Sequence, residues 1–89
     1  MSTSVKHENF INESMKGKSV TVLPGIGEVL SKRLIEEGYN ETDTILAQYL
    51  LFKKHKDLFQ EWMKVICNAN SKQSSDCFNA IESWVLINL

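Results

Sequence analysis

An all-α fold is what this sequence predicts, a compact bundle of five to six short helices, and three observations carry that reading. Apolar residues recur at helical spacing in one segment after another. Ser, Asn and Asp stand where helix N-caps are needed. Pro24, Gly38 and the run Asn68-Ala69-Asn70-Ser71 break the pattern between segments. At 89 residues one domain spanning 1–89 is expected, near the size where a single core is adequate but thin. Association with a second copy would relieve that shortage. A 43% hydrophobic content that includes two Trp, four Phe and two Tyr is enough for a packed globule and argues against disorder.

Taken in order, Ser2-Thr3-Ser4 can cap a first helix that runs to about Asn12, with Val5, Phe10 and Ile11 as core contacts. Lys6 near its start is unfavourably placed against the helix dipole, which a nearby anionic ligand would explain. Met15-Lys16-Gly17-Lys18-Ser19 is a polar connection, and Ser19 can cap a short helix over residues 20–23. Pro24 pushes Leu23 out of the α region, so that helix stops there. After Gly27 the apolar residues Val29, Leu30 and Leu34 form a stripe, with Lys32 and Arg33 off it. Gly38 is placed as the C′ residue of this helix, with Tyr39 packing back.

Asn40 with Asp43 reads as the cap and first-turn acid of a helix over residues 41–52. Ile45, Leu46, Ala47, Tyr49, Leu50, Leu51 and Phe52 make that helix apolar on too many faces for packing on one side. Leu50-Leu51-Phe52 followed by Lys53-Lys54-His55-Lys56 is either a surface where a partner docks or core with a solvated basic end. Asp57 and Gln60 stand at capping-box spacing before the stripe Leu58, Phe59, Trp62, Met63, Ile66. Asn70 and Gln73 repeat that spacing before the last helix, which carries Cys77, Phe78, Ile81, Trp84 and Val85.

The functional signal lies in Leu23-Pro24-Gly25-Ile26-Gly27 and the helix after it. Gly25 and Gly27 permit positive φ and let a bulky ligand approach the main chain without meeting a Cβ. Ile26 is then free to point inward. The first N–H groups of the following helix lack partners within it, and the dipole adds partial positive charge there, which suits a phosphate. The segment resembles the hairpin of a helix-hairpin-helix motif, whose backbone amides hold a DNA phosphate strand whatever its base sequence. Lys6, Lys16, Lys18, Lys32 and Arg33 would surround it as a basic patch. The helix after Asn70, with Lys72 and Gln73 in its first turn, is a second candidate phosphate contact.

Ten Lys and Arg against eleven Asp and Glu give a net charge of −1, so the overall field does not attract nucleic acid and only a local patch can. Cys67 and Cys77 are too few for a disulfide framework and read as reduced, buried thiols. With no signal sequence at the start and no apolar run of membrane length, an intracellular chain is expected. His7, His55 and the two cysteines lack ligand spacing, and neither metal nor cofactor is expected. A glycosylase or nuclease needs a pocket for a flipped base, for which this chain is too short, so no enzymatic activity is expected. The alternative is a helical protein-interaction adaptor whose hairpin is purely structural.

Over essentially its whole length the chain resembles the barrier-to-autointegration factor family. The match is carried by Thr3-Ser4, Lys6-His7, Phe10, Glu13, Met15, Lys18, the run Gly25-Ile26-Gly27-Glu28-Val29-Leu30, Lys32, Leu34 and Gly38. It continues through Gln48, Leu50, Lys53-Lys54, Asp57-Leu58-Phe59, Glu61-Trp62, Lys64, Cys67, Ala69-Asn70, Lys72-Gln73-Ser74, Asp76-Cys77-Phe78 and Trp84. The resemblance implies an all-α, SAM-like homodimer that binds double-stranded DNA without sequence preference and bridges two duplexes in chromatin and at the nuclear envelope. The DNA contacts it implies are Lys6, Gly25, Ile26, Gly27, Lys32 or Arg33, Asn70, Lys72 and Gln73, to which Lys18 is added as a neighbouring cation. A groove across the dimer, at Ala47, Leu50, Leu51, Phe52, Lys53, Lys54 and Leu58, would receive LEM-domain proteins, with lamins and histones as further partners. Ser2, Thr3 and Ser4 match the family's phosphorylation sites, where added phosphate releases DNA. The implied location is the nucleus, with some protein in the cytoplasm. Departures from the family pattern fall at Ser14, Lys16-Gly17, Ala47, His55-Lys56 and residues 85–89.

Overall fold

The computed structural model describes residues 4–89, and five α-helices and one 3-10 turn account for most of them. They are α1 (Val5–Ile11), the 3-10 turn (Val20–Val22), α2 (Glu28–Glu36), α3 (Thr42–Leu51), α4 (Lys56–Cys67) and α5 (Ser71–Asn88). No strand is present among the described residues, only an isolated antiparallel bridge between Ser19 and Glu41. The radius of gyration is 11.6 Å, close to the ~12 Å of a well-packed chain this long.

Several caps form as the sequence predicts. Ser4 accepts a hydrogen bond from the His7 amide, and Ser19 accepts one from the Thr21 amide. Asn70 and Gln73 complete a capping box, each side chain accepting from the other's backbone N–H. Leu23 is extended, as the residue before proline should be. At the end of α2, Gly38 adopts φ +92° while Tyr39 N–H donates to Leu34 and Gly38 N–H to Ile35, a Schellman closure that satisfies two orphan carbonyls.

Two caps differ from expectation. α3 starts behind Glu41, not Asn40, and no side chain caps it. The Asn40 carbonyl instead accepts from Val20 N–H while Thr42 N–H donates to Lys18, so pairing with the 3-10 turn sets where α3 begins. α4 starts behind His55, whose Nδ1 accepts from the Leu58 amide at 3.4 Å, and Asp57 lies inside the first turn. Gln60 is not a capping-box partner; its amide donates to the Ser71 carbonyl and the Ser74 hydroxyl.

α5 is the central element, with α4 and α1 against it. Tyr49, Phe59 and Phe78 form its aromatic seam, with Phe78 5.4 Å from Tyr49 and 5.7 Å from Phe59. Val20, Leu23, Leu34, Ile45, Met63, Cys77 and Ile81 are fully buried around them. Long-range hydrogen bonds close the bundle. Trp84 Nε1 donates to the Glu13 carbonyl at 2.8 Å, and the buried Thr42 hydroxyl donates to the Met15 carbonyl at 3.2 Å. Val5 and Val29, expected in the core, are instead 76% and 59% exposed, because α1 and α2 are short and one stripe of each is enough to seat it.

Candidate nucleic-acid interface

The hairpin between the 3-10 turn and α2 rests on the start of α5. Gly25 has φ +82°, and a Cβ there would collide with the Gln73 carbonyl oxygen and come within 3.1 Å of Asp76 Cβ and 3.2 Å of Cys77 N. Gly25 is therefore a glycine for internal packing as well as for backbone shape, and not the opening for a ligand that the sequence suggested. Gly27 is the opposite case. Its φ of −91° is available to any residue, and a Cβ would meet open space. A methyl there would cover the start of α2, where the helix has no side-chain cap of its own.

Ile26 is 1% exposed and anchors the turn, and its amide is already engaged by the Leu23 carbonyl at 3.1 Å. The amides of Gly25, Gly27, Glu28 and Val29 have no protein acceptor among the described residues. The uncapped start of α2 thus keeps the donors and the partial positive charge an anion needs. Contact between Gly25 and the first turns of α5 sets a second helix start beside it. In that turn the side-chain oxygens of Asn70 and Gln73 are consumed by the capping box, which leaves their side-chain NH2 groups as donors.

The cations expected around the two helix starts fall into four groups. Lys6 Nζ donates to the Ile26 carbonyl at 2.8 Å, so α1 brings its charge onto the turn itself. Lys6 and Lys18 line one cleft of about 350 Å³ with Asn9, Phe10, Glu13, Ser14, Thr21 and Val22. Lys18 is held by Glu13 at 2.9 Å and Lys72 by Asp76 at 3.1 Å, so two of the cations carry an acidic neighbour. Lys16 and Lys32 are exposed. Arg33 behaves differently from Lys32: its Nη1 donates to the Cys67 carbonyl at 3.1 Å and ties α2 to the end of α4. Glu13, Asp76 and the Arg33 tie were missed in the sequence. The Lys72–Asp76 spacing of four could have revealed that pair; the contacts of Lys6 and Arg33 leave no local signal.

A separate surface lies at the corner between α3 and α4. Leu50, Leu51 and Leu58 are 44%, 69% and 51% exposed, and Ala47, Lys53 and Lys54 are exposed with them. Phe52 is half-buried, 6.4 Å from the Trp62 ring. Lys53 and Lys54 have φ of +57° and +64°. Lys54 N–H donates to Tyr49 and Lys53 N–H to Leu50, so a lysine occupies the C′ position that glycine favours. Ser2 and Thr3 lie outside the described residues; Ser4 is exposed and caps α1. Cys67 and Cys77 are free and buried, and burial pushes both thiols up, Cys77 most strongly. Among the described residues no helix is long and apolar enough to cross a membrane.

A family model described as "Barrier to autointegration factor" matches residues 1–87. The chain is 52% identical over 82 residues to the barrier-to-autointegration factor of Drosophila melanogaster, covering 92% of this chain and 91% of the relative. It is 50% identical over 84 residues to the Homo sapiens protein of that name, covering 94% of each. Barrier-to-autointegration factor A of Xenopus laevis is 49% identical over 83 residues, covering 93% of this chain and 92% of that one. None of these names describes an enzymatic activity.

Proposed function

Because the chain belongs to the barrier-to-autointegration factor family, we propose that it binds double-stranded DNA without base preference and, as a homodimer, holds two duplexes together. The observation that carries this reading is the docking of Gly25 against the first turns of α5, which sets two helix starts side by side with the Lys6 ammonium on the turn between them. Free amides at Gly27, Glu28 and Val29 and at the start of α5 take successive phosphates. Lys6, Lys18, Lys32 and Lys72 neutralise their neighbours. Backbone amides carry no base information, so affinity is indifferent to sequence. No bond is made or broken, and residues 1–89 act as one DNA-binding domain.

The exposed Leu50, Leu51 and Leu58 supply apolar area for the second copy and for a groove shared with LEM-domain proteins, with lamins and histones as further partners. Such a protein works on chromatin and at the nuclear envelope. Phosphorylation at Ser2, Thr3 and Ser4, two to four residues before Lys6 in the chain, adds negative charge and expels the duplex. The same leucines favour a second reading, an adaptor with a structural hairpin, and charge reversal at Lys6 and Lys72 separates the two. Loss of DNA retention with the dimer intact supports bridging, and unchanged retention supports the adaptor.

The direct test titrates the protein onto duplexes of equal length and unrelated sequence across a salt series. Affinity should be equal for all of them and should fall with salt at a slope of roughly −0.9 per phosphate neutralised. A strong base preference, or no salt dependence, overturns the reading. Sedimentation with and without short duplex reports the number of subunits and of duplexes held.

A further inference from the structure

Lys72 stands in the first turn of α5, where the helix dipole disfavours a cation, and its acid partner Asp76 follows it by one turn. Helix stability alone favours the reverse order, acid first and base four residues later. The order of this pair is thus not the one helix stability alone would select. Asp76 Cβ lies 3.1 Å from the point where a Cβ on Gly25 would fall, so the residue that pairs with Lys72 is rooted beside the hairpin. The ion pair is open to solvent, with side-chain exposures of 82% for Lys72 and 39% for Asp76.

We propose that Asp76 is an internal counter-anion: in the free protein it holds Lys72 beside the hairpin, and it gives Lys72 up when a DNA phosphate arrives. The proposal rests on the DNA-binding reading above and deepens it. Surface ion pairs of this kind contribute little, so Lys72 changes partner at small cost. The backbone of α5 holds the Asp76 Cβ beside Gly25, so its charge stays within a side chain's reach of the hairpin. A phosphate on the hairpin then meets that negative charge, and any two like charges ~6 Å apart in a water-like medium repel enough to weaken binding by a factor of about three, more where water is excluded. Asp76 thus limits both affinity and salt dependence in a protein whose net charge is already −1. A DNA bridge that must open and re-form gains reversibility from such a limit.

The test is Asp76→Asn, which keeps shape and hydrogen bonding while removing the charge. Asp76→Ala, which also removes the pairing oxygen, is the second variant. Both are compared with the unaltered protein on one short mixed-sequence duplex over a salt series, after melting curves establish that they fold. Binding should tighten by about threefold to tenfold at low salt, and the gain should shrink as salt screens the lost repulsion, so that the slope steepens. Glu36→Gln removes the same charge at the far end of α2, ~13 Å from Gly27 by helical rise and beyond the ~8 to 10 Å screening length. It should shift affinity by less than about twofold. Weaker binding by Asp76→Asn would mean that Asp76 positions Lys72 for DNA. That result overturns the proposal, as do an unchanged slope and an equal gain from Glu36→Gln. If the unaltered protein holds no duplex at low salt, the DNA-binding reading itself falls.

Discussion

Replacing Gly25 by alanine and, separately, Gly27 by alanine should damage the protein in two different ways. At Gly25 the φ of +82° costs a side-chain-bearing residue about 1–2 kcal/mol. The new methyl also has to displace the Gln73 carbonyl, which is helix backbone and cannot rotate aside. Overpacking of this kind costs about 1–3 kcal/mol. The combined loss of roughly 2–5 kcal/mol, at ~4–8 °C per kcal/mol for a domain this size, lowers Tm by about 8–40 °C. At Gly27 the backbone is relaxed and the space is open, so the loss is limited to a poorer N-cap, about 0.5–1 kcal/mol. Its methyl instead stands where a phosphate would meet the α2 amides, and duplex affinity should fall about tenfold or more, equivalent to one charged hydrogen bond lost. Calorimetry and duplex titration on both variants separate the effects. A Gly25→Ala protein melting within a few degrees of the original would refute the packing account. Intact DNA binding by Gly27→Ala would refute the phosphate approach.

Three further outcomes are expected. Lys32→Ala should reduce the salt slope of DNA binding by roughly 0.9, whereas Arg33→Ala, which removes the tie to Cys67, should leave the slope unchanged and lower urea stability by about 1–2 kcal/mol. Lys53→Gly should raise stability by up to ~1 kcal/mol in chemical denaturation, because glycine relieves the φ of +57° at the end of α3. Burial raises the Cys77 thiol, and that of Cys67, above the ordinary 9.0, so only the unfolded chain ionises them readily. Stability should therefore be flat up to about pH 8.5 and decline as pH rises past 9, and Cys77→Ala should flatten that decline in pH-dependent melting curves.

The local signals in the sequence were enough for the helices, for the Ser19, Gly38 and Asn70–Gln73 caps, and for the inward-facing Ile26, because each depends on residues within about four positions. They failed where a distant element intervened. Asn40 lost its role as a cap when its carbonyl paired with Val20, and α4 began behind His55. The long apolar run of α3 could not say which of its residues face inward; only docking against α5 buries Ile45 and Tyr49 and leaves Leu50 and Leu51 outside.

By itself, then, the sequence determined a bundle of short helices, an uncapped helix start after a glycine turn, and a chain whose net charge of −1 does not attract DNA from a distance. The tertiary structure alone decided that Gly25 serves packing while Gly27 leaves the helix start open. It also decided that the start of α5 adjoins the hairpin, and that Lys6 reaches the Ile26 carbonyl while Arg33 turns away to Cys67. Caps and periodicity are set by neighbours along the chain. The meeting of residues twenty to fifty positions apart is set by how whole helices share one core, and no local pattern encodes it.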